Sequence, residues 1–274
     1  MVRRARERKG PRGRSGIVTL ISDFGLSGEY AGAMKGAILR VNPRCQVVDV
    51  THQIPPQDVF QASFVLKNTY PYFPGGTVHL VVVDPGVGTQ RKPVALKKDG
   101  HFFVGPDNGV FSLIGEEERY EGVEITLGKI FLSPLSSTFH GRDIFGPVAG
   151  HLSLGMDPRR LGPRLKGLVR LERPRPAVQG KQWVGQVLFA DPFGNLVTNI
   201  SREEFKSWVD DHPFQIKTKR WRLDRLQKTY QDVPPGRPLA LFGSTGMLEI
   251  AVNRGSARLA LGLKPGDAIS IRRL

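Results

Sequence analysis

The feature that most constrains this chain is a change of rhythm partway along it. From residue 16 to about residue 155, short β-rich apolar runs alternate with stretches whose apolar residues recur at helical spacing. IVTLIS stops at Asp23, and GEYAGAMKGAILRVNP follows with Tyr30, Met34, Ala37, Ile38 and Val41 on one face. QVVDV is the next strand, DVFQASFVLKNTY the next helix, and TVHLVVV a strongly β run that stops at Asp84. Such alternation predicts an α/β fold, a mostly parallel sheet covered by helices on both faces. PVALKKDGHFFV adds a hairpin through Asp99–Gly100. Prolines at 158, 163, 174 and 176 mark residues 155–180 as a linker. Beyond it, WVGQVLFAD, NLVTNIS, PFQIKT, RPLALFG, MLEIAV and DAISIRRL are short strands between turns, which predicts a small all-β, barrel-like domain. The expected division is a basic tail over 1–15, an N-terminal α/β domain over 16–172 and a C-terminal β-barrel domain over 178–274.

A length of 274 residues is enough for two medium domains, each with its own core. No run approaches the roughly eighteen apolar residues of a membrane span, so no membrane partner is expected. MVRRARERKGPRGR has no apolar segment behind its charges and does not read as a secretory signal. The single cysteine, Cys45, excludes an internal disulfide and fits a reducing cytoplasm. The net charge of +15 is concentrated: residues 1–14 hold seven Arg or Lys against one Glu, and residues 216–228 hold six against one Asp. The tail has the composition of a disordered basic arm, either solvated or in contact with RNA.

Ligands of a parallel sheet bind beyond the carboxyl ends of its strands, where Asp23 and Asp84 stand. Each precedes glycine-rich sequence, DFGLSG and DPGVGTQR, in which backbone can approach a ligand closely. A single strand-end Asp is as often a turn residue; two together favour a site. There is no GxxxxGK[ST], and GVGTQR lacks the third glycine of a dinucleotide fingerprint, so a polyphosphate ligand is not expected. His140 and His151 have no metal-ligand spacing, no HExxH or paired cysteines occur, and no GxSxG elbow is present. The stretch SSTFHGRDIFGPVAGHL places His140, Arg142 and Asp143 at the mouth of an apolar helix, where Asp143 alone would be an ordinary cap. What remains for chemistry is Asp84, Arg91 and His140, on two loops that can converge at one sheet edge. In the second domain, ADPFGNLVTNIS gathers Asp191, Phe193 and Asn195 in one turn, either a plain hairpin connection or an anion, a stackable ring and an amide for a ligand. FGSTGMLEIAVNRG offers Ser244 and a Glu249 that faces either solvent or a site.

Taken together, ISDFG, VDPGVGTQR, VGPDNGVFS, TFHGRDIFGPVAGHL, DPFGNLVTNI and GMLEIAVNRGSA resemble the S-adenosyl-L-methionine (SAM) hydroxide adenosyltransferases. This is the hydrolase branch related to the SAM-dependent fluorinase and chlorinase. The resemblance runs from about residue 16 to the end of the chain and leaves out only the basic tail. It implies a homotrimer with active sites between the N-terminal domain of one subunit and the C-terminal domain of its neighbour. It implies an Asp–Arg–His set at Asp84, Arg91 and His140. It also implies nucleoside and amino-acid contacts at Asp23, Asp191, Phe193, Asn195, Ser244, Glu249 and the backbone near Val252. No metal and no cofactor are implied, SAM being the substrate. Arg142 and Asp143 read as scaffolding of the helix start. Two departures separate the chain from the halogenases: Gly141 stands where the fluorinase has a halide-contacting serine, and the long insertion after the Arg91 region is absent. Both favour water over halide. The implied reaction is hydrolysis of SAM to adenosine and L-methionine. The alternatives are a halide transferase, or a non-enzymatic RNA- or nucleotide-binding protein that uses the basic segments.

Overall fold

The computed structural model describes residues 15–115 and 120–274, and the basic tail expected over residues 1–15 lies almost wholly outside them. The chain divides into two compact units at Leu171/Glu172. In the first, β1 (Ile17–Ser22), α1 (Tyr30–Val41), β2 (Gln46–Thr51), α2 (Val59–Thr69) and β3 (Val78–Val82) alternate as the sequence pattern predicts. The hairpin β4 (Pro93–Lys98) and β5 (His101–Pro106) follows, then β6 (Glu121–Glu124). The sheet order is β2-β1-β3-β5-β4-β6. Strands β2, β1, β3 and β5 run parallel, and at the edge β4 pairs antiparallel with both β5 and β6. The antiparallel edge follows from the tight Asp99–Gly100 turn, where both residues have positive φ, 51° and 79°, so the chain reverses without a crossover.

Helices cover both faces. Met34 and Ile38 of α1 and Val148 and Leu152 of α3 (Gly146–Ser153) share a core with Val18, Leu20 and Val82. Ala62 and Leu66 of α2 pack on the other face with Ile21, Val81 and Phe103. α1 therefore leaves β1 over one face, and α2 brings the chain back over the other to the far side of β1. The carboxyl ends of β1 and β3, with Asp23 and Asp84 just beyond, flank the point where strand order reverses, the place in such sheets that receives ligands.

The expected linker is in part an integral strap of the first unit. Leu161 is fully buried, its carbonyl accepts from the Thr126 and Leu127 amides, and the Val169 amide donates to Asp107. Proline suppresses regular structure without preventing packing, so the segment reads as a linker while behaving as a strap.

In the second unit, β7 (Ala177–Gln179), β8 (Gln182–Ala190), β9 (Leu196–Ser201), β10 (Phe214–Lys217), β11 (Arg222–Leu223), β12 (Pro238–Phe242), β13 (Met247–Val252) and β14 (Ala268–Arg273) form one continuous sheet, ordered β11-β10-β14-β8-β9-β13-β12. β8 pairs with β14 through its first half and with β9 through its second, so the sheet curls around Val187, Ile200, Ile250 and Ile271 into a nearly closed barrel. Two helices had no counterpart in the sequence reading. α4 (Arg202–Val209) buries only Phe205 and Val209, too few for a periodic signal, yet its Ser201–Glu204 capping box was visible. α5 (Ala257–Leu261) is a single turn capped by Ser256.

Candidate active site

The loop after β3 folds back on itself. The Val87 amide donates to the Asp84 carbonyl, and the amide and hydroxyl of Thr89 donate to that of Gly86, so two successive turns return Arg91 to Asp84. Gly88 has φ +77°, and a Cβ there would lie 2.3 Å from the Ser137 carbonyl oxygen. Only glycine lets this loop lie against the one that carries His140.

Across that contact the polar groups form a chain. Arg91 Nε donates to both Asp84 oxygens at 2.9 Å, and its terminal nitrogen bonds the same carboxylate. That terminal nitrogen also donates to His140 Nδ1 at 2.9 Å. The side chains of Arg91 and Asp84 are 8% and 5% exposed. The guanidinium carbon lies 5.1 Å from the centre of the Phe145 ring, which shields it from water. Guanidinium has no acceptor, so Nδ1 of His140 presents its lone pair and the ring proton lies on Nε2. Burial, and then the adjacent Arg91 cation, hold the His140 imidazole below its ordinary pKa against weaker opposing pulls from Asp84 and Asp143. The ring is therefore neutral near pH 7, with an N–H to donate.

Asp84 and His140 line a cavity of about 300 Å³ together with Asp23, Phe24, Phe139 and Gly141, at the small end of the roughly 300–1,000 Å³ range of small-molecule clefts. Arg91 lies behind this wall. Asp23 is held by the Gln57 amide, which donates to its Oδ2 at 2.9 Å. At Gly141 a Cβ would sit 3.3 Å from both phenylalanine rings, so a side chain there would require the rings to shift by a few tenths of an ångström.

Arg142 and Asp143 do not join the chain. Asp143 is buried, receives the Ser136 amide at 2.8 Å and Arg142 Nε at 2.6 Å, and makes no side-chain cap. Its role is to tie the preceding loop to a turn of π-helix at Gly141–Phe145 that leads into α3. A second network escaped the sequence reading. Ser22 Oγ and His52 Nδ1 are 2.6 Å apart, His52 Nε2 lies 3.0 Å from Asp49 Oδ1, and the Gly25 amide donates to the His52 carbonyl. The residue types are those of a hydrolytic triad, but Ser22 and His52 are buried. The network instead joins the ends of β1 and β2 and fixes the turn that carries Asp23.

In the second unit, Asp191 Oδ1 receives the amides of Phe193 and Asn195, and Oδ2 the Asn195 side-chain amide. The turn thus satisfies itself and leaves the Phe193 ring 79% exposed. Ser244 is exposed on the loop between β12 and β13, and Val252 is buried at the end of β13. Glu249 faces inward, not solvent: it is buried and accepts from the Tyr230 hydroxyl at 3.0 Å. Burial raises its pKa, with a further push from the Asp191 carboxylate. Tyr230 is pushed up to about 12 by burial and by the same two carboxylates. Asp191, Glu249 and Tyr230 are therefore one cluster with an excess of negative charge. Tyr230 has no sequence signal, since it stands nineteen positions before Glu249 with no recognisable pattern between them. Among the described residues no three His, Cys, Asp or Glu side chains form a set that could hold a metal ion.

The sequence matches the SAM hydroxide adenosyltransferase N-terminal domain over residues 18–162 and the corresponding C-terminal domain over residues 185–270. It is 40% identical over 266 residues to an (R)-S-adenosyl-L-methionine hydrolase of Thermus thermophilus, covering 93% of this chain and 98% of that protein. It is 27% identical over 296 residues to a fluorinase of Nocardia brasiliensis, covering 95% of this chain and 98% of that one. Its fold is similar to the crystal structure of an uncharacterized conserved protein from Thermotoga maritima, with TM-score 0.86, 40% identity, and 93% and 100% of the two chains covered. Two domain matches in order, each falling on one of the two structural units, leave one placement: the chain belongs to the SAM hydroxide adenosyltransferase family.

Proposed function

We propose that this protein hydrolyses SAM to adenosine and L-methionine. The observation that carries the reading is the Asp84–Arg91–His140 chain at the wall of a cavity beyond β1 and β3, in a family named for adenosyl transfer to hydroxide. Hydroxide forms the new C5′–O bond as the C5′–S bond breaks, the electron pair leaves on sulfur as a neutral thioether, and the proton lost from water in making the hydroxide goes to solvent. The leaving group needs no acid. The nucleophile must be held in line, roughly 3 Å from carbon, and shielded from bulk water.

The hydrogen-bond directions limit who can take the proton. His140 Nδ1 is engaged by Arg91, and Asp84 is paired with the same guanidinium, so neither is a free strong base. The arrangement suits a hydroxide better than a neutral water: Nε2–H of His140 donates to it, and the substrate's own sulfonium attracts it. Attack then merges an anion and a cation, a charge neutralisation that a water-poor cavity favours. Asp23 fits the ribose hydroxyls as a charge-assisted acceptor, about 1.5–3 kcal/mol for each bond. The acidic cluster of Asp191, Glu249 and Tyr230 fits an amino-acid ammonium, and exposed Phe193 fits an adenine face. Ser244, Asn195 and the Val252 backbone are assigned with them to substrate contacts. We further assign, from the family resemblance, a homotrimer that completes its sites between neighbouring copies, and from the lone Cys45 a reducing cytoplasm.

Incubation of purified protein with SAM, with products resolved by chromatography, tests the reaction. Adenosine and methionine are expected in equal amounts, with no 5′-halo-adenosine in high chloride or fluoride. S-adenosylhomocysteine would mean methyl transfer and would sink the reading.

A further inference from the structure

The outer face of the barrel sheet carries a charge pattern that the cavity chemistry does not use. Along β10, Ile216 is fully buried, so Gln215 and Lys217 point outward. Lys217 is paired directly with Arg222 of β11 on one side and with Ser270 of β14 on the other. Gln215 is paired with Arg272, and Arg272 with Gln182 of β8, which is paired with Gln179 of β7. Alternation puts all of these on one face, because Ile271 and Trp183 occupy the opposite one. The paired strands therefore present Lys217, Arg222 and Arg272 among Gln179, Gln182, Gln215 and Ser270 on this face, with Asp224 just beyond β11 as the nearest carboxylate. All three cations are exposed, and among the described residues none of them is ion-paired. At the border Asp267 is engaged by Lys219 at 2.9 Å, and the exposed Asp224 stands 3.8 Å from Arg225.

Like charges at directly paired positions destabilise a sheet, so Lys217 opposite Arg222 works against the fold unless an anion lies over both. Strand spacing of about 4.8 Å and a two-residue rise of about 6.7 Å set the three charged stems roughly 5–12 Å apart, a span that covers neighbouring phosphates of a nucleic-acid strand. The interleaved amides and hydroxyl suit phosphate and sugar oxygens. A lipid surface is the poorer match, since the paired strands add only Val184, Ala177 and Ala268 to this face, and Leu274 is a single apolar side chain at its edge.

We propose that this face binds the phosphate backbone of nucleic acid without sequence preference, independently of the hydrolytic cavity. No aromatic side chain stands on it to stack a base, so contacts to phosphate carry the affinity.

The test is fluorescence anisotropy of labelled U20 RNA with the full chain, from 50 to 200 mM KCl. The wild type should show affinity falling linearly on a log–log plot. Lys217→Gln, Arg222→Gln and Arg272→Gln together should reduce that slope by about 2, at about 0.7 per lost phosphate contact. Over this salt range that amounts to a difference of about 20-fold. Each single substitution should remove about a third of it. SAM turnover should stay at the wild-type value, and the melting temperature should hold or rise with the like-charge pair removed, which guards against misfolding. A chain without residues 1–14 should keep the same difference between wild-type and triple-variant faces. The proposal is overturned if the triple variant binds RNA with the wild-type slope, if removal of residues 1–14 abolishes all binding, or if the protein binds phosphatidylserine vesicles but not RNA.

Discussion

Arg91 is the residue on which the proposed chemistry turns, although it stands behind the cavity wall. It fixes the tautomer of His140 through Nδ1 and depresses the ring's pKa by its charge. Turnover should therefore fall as pH drops through the pKa of His140, below the ordinary value near 6.5, because protonation places an N–H against the guanidinium. Arg91→Gln removes the repulsion, so its acidic limb should move to higher pH, while kcat falls on the order of 10²–10⁴-fold. A pH–rate profile with an unmoved acidic limb would make Arg91 merely structural. Asp84→Asn and His140→Ala should lower kcat far more than they raise KM, and Asp23→Ala should do the reverse. Asp84, Arg91 and His140 were legible in the sequence because glycine-rich loops after apolar strands reveal where polar side chains can gather. Tyr230 and His52 were not legible. Each acquires its meaning from a partner that only the folded sheet brings near.

At the scale of elements, the strand pattern was the most legible part, since buried parallel strands such as β3 are almost continuously apolar. The one polar interruption in β3, His79, is informative in turn. It is buried between Thr19 Oγ1 at 2.7 Å and His101 Nδ1 at 3.1 Å, and its ring stacks on Phe103. Burial, then the neighbouring His101, brings its pKa down to about 3, and burial also lowers that of His101. Both rings are thus neutral in the folded protein and ordinary in the unfolded one. The stability they contribute is fully present above about pH 6.5 and declines as pH falls toward 3, because the unfolded chain binds protons that the folded one resists. The melting temperature should drop steadily across that window, and His79→Phe should flatten the drop, to be read by calorimetry from pH 7.5 to pH 4. An equal loss in the variant would place the acid sensitivity elsewhere. The Ser22–His52–Asp49 network predicts a different split. His52→Ala releases the turn beneath Asp23, so KM should rise several-fold with kcat little changed; a fall in kcat alone would count against a positioning role.

For the whole molecule, two units were foreseen from the change of rhythm, and both carry residues assigned to the substrate, most of them in the second. Asp23 belongs to the first unit, Asn195 and Ser244 to the second. The proposed homotrimer makes a sharp prediction from that division. A trimer built only of Asp23→Ala chains is impaired at every site, and so is one built only of Asn195→Ala plus Ser244→Ala chains. Co-refolding the two in equal amounts randomises neighbours around a ring of heterologous interfaces. Each site then has an even chance of an intact first-unit face and an independent even chance of an intact second-unit face. About one quarter of wild-type turnover should return. If each site is built within one chain, nothing returns, because every chain carries a lesion. Native mass spectrometry of the same mixture separates the outcomes: hetero-trimers without recovered turnover would refute shared sites while leaving hydrolysis standing, and a monomeric mass would refute the trimer itself.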